Sequence, residues 1–160
     1  MRSLILKLCA LLALFGLYAC DNLVMEQLKP GISSEAEVRA LMGEPGLEWK
    51  NQDGSRTWEY TRQPEGVVCY MLTLGTDGIL RSIEQALTPE NLARVQPGMD
   101  KEQVRRLLGK PRSMQTFPLK PEEVWDWKVG REMNVDQLFN VHFDLNGQVT
   151  GTSRSQKIMG

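Results

Sequence analysis

The chain has 160 residues, 19 of them basic and 20 acidic, for a formal net charge of −1. With charge so balanced and no basic stripe visible, the clustered Lys and Arg that a phosphate backbone requires are missing, so no nucleic-acid partner is expected. Its cysteines are Cys9, Cys20 and Cys69; the first two fall in or at the edge of an export signal, which leaves too few thiols for an internal disulfide, a redox dithiol or a zinc site.

The N-terminus opens with Arg2 and Lys7, followed by an apolar run from Leu8 to Leu17. That run has the length of a signal h-region, and a bilayer span would need about 20 residues. It ends at Leu17-Tyr18-Ala19-Cys20, which resembles a bacterial lipobox, the signal for cleavage before a cysteine that then carries lipid. Residues 1–19 are therefore expected to be a lipoprotein signal peptide, with lipidation at Cys20. Simple secretion after Ala19 and an uncleaved anchor are the alternatives. Removing Arg2 and Lys7 from the 19 basic residues leaves 17 against 20 acidic ones.

The rest of the chain repeats itself, and a repeat of this length sets the architecture. Pro30-Gly31 and Pro97-Gly98 are each read as a type II turn, with Gly supplying the positive φ. Short helical segments precede them, at Asn22 to Leu28 and from Thr88-Pro89, where Thr has the place of an N-cap and Pro that of N1. A second helix follows each turn. Ser34 with Glu37, and Asp100 with Gln103, have capping-box spacing. Val38, Leu41 and Met42, like Val104, Leu107 and Leu108, form one apolar stripe. Gly43 and Gly109 end these helices in the left-handed conformation, with Pro45 and Pro111 two residues on. Strands are then expected at Leu47 to Lys50, Ser55 to Arg62, Val67 to Leu74 and Ile79 to Ala86, and again at Arg112 to Phe117, Val124 to Val129, Gln137 to Phe143 and Gln148 to Ser155. Turns at Asn51-Gln52-Asp53-Gly54, Asp77-Gly78 and Asn146-Gly147 join them. The fold class is α+β: two tandem modules, residues 20–86 and 87–160, each with two short helices on a three- or four-stranded antiparallel sheet. A module of this size alone would be marginal, so the two are expected to pack together.

Little in the sequence points to catalysis. Cys69 has no cation beside it and aligns with Leu138, so it reads as a small packing residue. His142 is the single histidine and aligns with Thr73, an ordinary strand position. A Cys69–His142 dyad would join non-equivalent places in different modules. With no nucleophile–base pair, metal cluster or phosphate loop in view, the chain is read as a non-enzyme without cofactor or metal. Trp58 and Tyr60, and Trp125 and Trp127, alternate along their strands, so each pair shares a face. They either fill the core under the helices or form an aromatic binding face on the open side of the sheet. Tyr70, Leu72 and Leu74, with Phe139, Val141 and Phe143, are expected to face the helices. Met71, Thr73, Asn140 and His142 then point away. The candidate protein-binding residues are Trp58, Tyr60, Met71, Trp125, Trp127 and Asn140.

These motifs resemble a family. The first copy has Leu28-x-Pro30-Gly31, Val38…Leu41-Met42-Gly43-x-Pro45 and Trp58-x-Tyr60. The second has Val95-x-Pro97-Gly98-Met99, Val104…Leu107-Leu108-Gly109-x-Pro111, Trp125-x-Trp127 and Val141-x-Phe143-Asp144-x-Asn146-Gly147-x-Val149. The series resembles the BamE (SmpA/OmlA) lipoprotein domain, here in two tandem copies where members usually carry one. The resemblance implies a periplasmic, membrane-anchored lipoprotein that binds protein partners and assists outer-membrane β-barrel assembly. The tandem also resembles the β-lactamase inhibitor protein, which implies the alternative of an inhibitor or binding module for an exported enzyme. The outer membrane is favoured on family grounds, while Asp21 after Cys20 resembles an enteric inner-membrane retention signal.

Overall fold

The computed structural model describes residues 23–117 and 119–158. The expected signal peptide, the Cys20 lipidation site, Asp21 and Asn22 lie outside the described residues. The first module begins with a helical turn, α1, at residues 23–27, then α2 at Glu35–Met42. Four strands follow: β1 Leu47–Lys50, β2 Arg56–Thr61, β3 Cys69–Leu74 and β4 Leu80–Gln85. The second module repeats the order with α3 Pro89–Ala93, α4 Lys101–Leu108, β5 Ser113–Phe117, β6 Glu122–Glu132, β7 Val135–Phe143 and β8 Val149–Ile158. Each set of strands forms one antiparallel meander, β1-β2-β3-β4 and β5-β6-β7-β8.

Local chemistry accounts for the helices. In α2 the Ser34 hydroxyl accepts from the Glu37 N–H while the Glu37 carboxylate accepts from the Ser34 N–H; Asp100 and Gln103 do the same for α4. Thr88 caps α3, with Pro89 at its first position. The Pro-Gly turns have φ of 82° at Gly31 and 90° at Gly98. Each Gly N–H then bonds the first residue of the last strand of its module: Gly31 to the Leu80 carbonyl at 2.7 Å, Gly98 to that of Val149 at 2.8 Å. The Leu80 and Val149 N–H groups return bonds to Ser33 and Met99. Each turn is thereby sewn to its sheet at the same place.

The cores lie between helices and sheets. Trp58, Tyr60, Leu72, Leu74 and Leu80 pack with Leu28 and Val38 in the first; Trp125, Trp127, Phe139, Val141 and Phe143 pack with Val104 and Leu108 in the second. Burying each large side chain contributes about 1.5–3 kcal/mol. A polar tether matches in both modules: the Tyr60 hydroxyl donates to the Gly43 carbonyl at 2.9 Å, and the Trp127 indole N–H donates to that of Gly109 at 3.1 Å.

Apart from shifts of one to three residues at other strand ends, three details differ from the sequence reading. Gly43 and Gly109 have the positive φ expected, 79° and 75°, but ψ of −165° and −167°. That is the extended left-hand region open essentially to glycine alone, and not the left-handed helical cap. Leu41 is 37% exposed, whereas Val38 is fully buried; α2 packs on one sheet only, so its stripe is narrow. Strand β6 runs past Val129 to Glu132, because Val129 is taken up as a bulge between Lys128 and Gly130 and pairing with β7 resumes at Gly130 opposite Gln137.

Candidate protein-interaction surface

The six candidate binding residues do not meet on one surface. Trp58, Tyr60, Trp125 and Trp127 are at most 8% exposed and sit beneath the helices, so packing, and not an open aromatic face, describes them. Met71 and Asn140 do point away from their own helices, as alternation along β3 and β7 requires, yet their fates differ. Met71 is 7% exposed because the second module covers it, and it packs in the same cluster as Val104 and Leu108. Asn140 lies on the outer face of the second sheet and donates to the Ser153 and Ser155 hydroxyls at 3.2 and 3.0 Å.

The seam between the modules explains the difference. Helix α4 lies on the outer face of the first sheet. Glu59, fully buried, accepts from Arg105 Nε and Nη2 at 3.2 and 3.1 Å and from the Lys110 N–H at 3.2 Å. Three donors replace the water it lost, which a buried carboxylate needs. Cys69 packs beside it, and burial pushes its thiol up to about 12, so it is an inert neutral side chain at ordinary pH. A second clasp joins the 62–68 loop to β6. The Gln63 side-chain amide bonds both the carbonyl and the N–H of Lys128, at 2.8 and 3.1 Å, as a strand neighbour would. The Lys128 ammonium, 2% exposed, bonds the Glu65 carbonyl at 2.9 Å and lies 3.0 Å from Asp136. Where the seam opens, a groove of about 460 Å³ remains, with Met71 and Thr73 from the first sheet and Met99, Gln103 and Leu107 from the second module along it.

The outer face of the second sheet has no helix over it among the described residues, and the first module's 62–68 loop reaches only its Lys128 end. A hollow of about 380 Å³ there is lined by Phe117, Val124, Asp126, Leu138, Asn140 and His142, among others. Asp126 is the counterpart of Glu59, but its own module satisfies it, through Arg112 Nε at 2.6 Å and the Ser113 hydroxyl. His142 Nε2 is 2.8 Å from the Ser153 hydroxyl, and Nδ1 is 3.4 Å from Glu122. Lys120 first, and His142 after it, hold the Glu122 carboxyl below its ordinary value. Sequence reading missed this Ser153–His142–Glu122 array because its members come from three strands. It has the order of a hydrolase triad, but Ser153 is in the middle of a strand, where backbone N–H groups run in the plane of the sheet. They do not converge above the hydroxyl as an oxyanion hole requires. The array acts as a cross-strand polar ladder.

Two further pairs were also missed. Glu35 of α2 pairs with Arg56 of β2, and Arg56 foremost holds that carboxyl below the ordinary glutamate value. At the matching positions Lys101 of α4 pairs with Glu123 of β6, and Lys101 is again the main cause of a lowered carboxyl. The helix-to-sheet ion pair is kept with its charges exchanged. Aligning the two copies residue by residue would have shown it.

Residues 84–153 match the outer membrane protein assembly factor BamE domain. The BamE match starts at the end of β4 and takes in α3, α4, β5, β6, β7 and half of β8. The resemblance drawn from Val95, Pro97-Gly98, Gly109-x-Pro111 and Trp125-x-Trp127 therefore holds for the second half of the chain. No curated protein matches the chain. Among solved structures the chain is similar to a DUF4309 family protein (YjgB) from Bacillus subtilis, at 18% identity and a TM-score of 0.33, over 81% of this chain and 82% of that one.

Proposed function

We propose that this protein is a lipid-anchored periplasmic accessory factor that binds protein partners during β-barrel assembly in the outer membrane. The observation that carries the reading is the BamE match over the second module. Its support from the leader is chemical: an apolar run too short to span, ending at Ala19-Cys20, is what lipid attachment at Cys20 requires. Several acyl chains on one cysteine would hold the protein firmly at the membrane. The first module is, on this reading, a diverged copy of the same unit, supported by its identical strand order, capping boxes and sewn Pro-Gly turns.

Crosslinking in intact cells with mass-spectrometric identification of neighbours tests the partner. Recovery of β-barrel assembly components is expected; recovery of an exported enzyme alone would replace this reading with the inhibitor one. Metabolic labelling with a palmitate analogue tests the anchor. Label is expected on the wild-type protein and absent from Cys20→Ala, and label that survives the substitution would sink the lipoprotein assignment.

A further inference from the structure

The four edge strands of the two sheets are not alike. Strand β1 has 4 residues, β5 has 5 and β4 has 6, while β8 has 10. Only the start of β8 is blunted, where the Gly98 N–H and the Met99 carbonyl bond Val149. From Gly151 to Ile158 the strand pairs with β7 and, among the described residues, with nothing on its other side. An antiparallel edge strand leaves every second N–H and C=O directed outward. Proteins commonly protect such an edge with proline, an interior bulge, a short strand or charged side chains, lysine above all. After its first residues β8 has no proline and no bulge, the single register shift lying between His142 and Phe143, and its guard against unspecific pairing is the charge of Arg154 and Lys157.

The charge of this edge has one sign. Val149–Ile158 carries Arg154 and Lys157 and no acid. Arg154 lies opposite Phe139, on the helix side of the sheet, with its guanidinium 5.9 Å from that ring. Lys157 lies opposite Asp136, on the outer side. Both are exposed. The two cations thus stand on both faces of the same edge, where an added strand would place alternate side chains.

We propose that the free edge of β8 takes up an extended, acidic segment of another polypeptide as an added β-strand, with Arg154 and Lys157 pairing to its carboxylates. The accessory reading supplies only the source of such segments, namely β-strands not yet folded. The backbone bonds give affinity without strict sequence preference, and the two cations select for acidic segments.

Binding of a fluorescein-labelled ten-residue peptide of Val, Thr and Glu, measured by anisotropy with the full mature chain, tests this without any assembly machinery. Its failure is thus distinguishable from failure of the crosslinking experiment above. Saturable binding is expected, lost when the peptide is N-methylated throughout. It should weaken about tenfold in the Arg154→Glu/Lys157→Glu variant, whose circular dichroism and melting should match the wild type because both side chains are exposed. Binding that tolerates N-methylation would mean side-chain capture and overturns the added strand. Binding unchanged in the charge-reversed variant, or no binding at all, overturns it equally. Sedimentation of the free protein is expected to give a monomer; a dimer that Thr152→Pro disperses, at a residue whose N–H faces the free edge, would show the edge occupied by a second copy instead.

Discussion

Two glycines in matching positions test the seam at the scale of single residues. Gly43 and Gly109 share nearly the same φ and ψ, so any side chain at either is strained by about 1–3 kcal/mol. Their surroundings differ. A Cβ on Gly43 would meet nothing within 4 Å, whereas one on Gly109 would lie 2.3 Å from the Cys69 sulfur. Gly43→Ala should lose only the backbone cost. Gly109→Ala should lose about 1–3 kcal/mol more, the usual cost of overpacking, and Gly109→Ala/Cys69→Ala should recover part of it. Urea denaturation measures all three; equal losses at the two glycines would show that the seam is not packed as described. Removing Glu59 should also be costly, since Arg105 and the Lys110 N–H would lose their acceptor. Glu59→Ala is expected to destabilise by about 3–5 kcal/mol. The glycines themselves were visible in the sequence, as the stops of two capped helices. The contact of Gly109 with Cys69 was not, because it crosses from one module to the other.

The exchanged ion pairs give a test at the scale of elements. Each ties a helix to its sheet, through Glu35–Arg56 or Lys101–Glu123, and the side chains are 27–37% exposed. Screening by water limits each to about 0.5–1 kcal/mol. Glu35→Lys alone should destabilise by about that amount or more, since it faces both Arg56 and Arg39. Glu35→Lys/Arg56→Glu should restore part of the loss, because the second module already uses that arrangement, while Arg39 and Glu48 then face like charges; a double variant no better than the single would refute the equivalence. The same pairs set a pH dependence. Both carboxyls are lowered in the folded protein, so their contribution is complete above the ordinary glutamate range, roughly pH 4.3. It is lost as pH falls through their folded values. The urea midpoint should therefore drop between pH 5 and pH 3, and drop less in Glu35→Gln/Glu123→Gln. Helices, turns and most strand limits were legible in the sequence, because caps, Pro-Gly pairs and alternation act over a few residues. Strand β6 was cut short at Gly130 because a bulge and a strand end look alike until the partner strand is known.

For the molecule as a whole, the question is whether two modules make one folding unit. The larger core draws Cys69, Met71 and Ala86 from the first half and Leu87, Val104, Leu108 and Trp125 from the second. Glu59 and Lys128 are each buried against the other half. A separated half would expose part of that core and an unpaired buried charge, and a unit of about 60 residues is marginal even when intact. The full chain should thus unfold in urea as one transition, with tryptophan fluorescence and far-ultraviolet circular dichroism coincident. Residues 87–160 alone should melt at least 10 °C lower or fail to fold. Two separated transitions would contradict this. The repeat in the sequence determined what each module is made of, since capping boxes, Pro-Gly turns, paired aromatics and closing Asx-Gly turns are local and occur twice. It also placed the aromatic pairs on one face of each sheet. Only the tertiary structure decided which outer face would be covered. Met71 and Asn140 occupy matching places on equivalent strands, and no local pattern shows that α4 closes over one of them. A long-range contact between unlike surfaces leaves no period in the sequence, so the covered sheet, the open sheet and the free edge of β8 emerge only once the two modules are packed together.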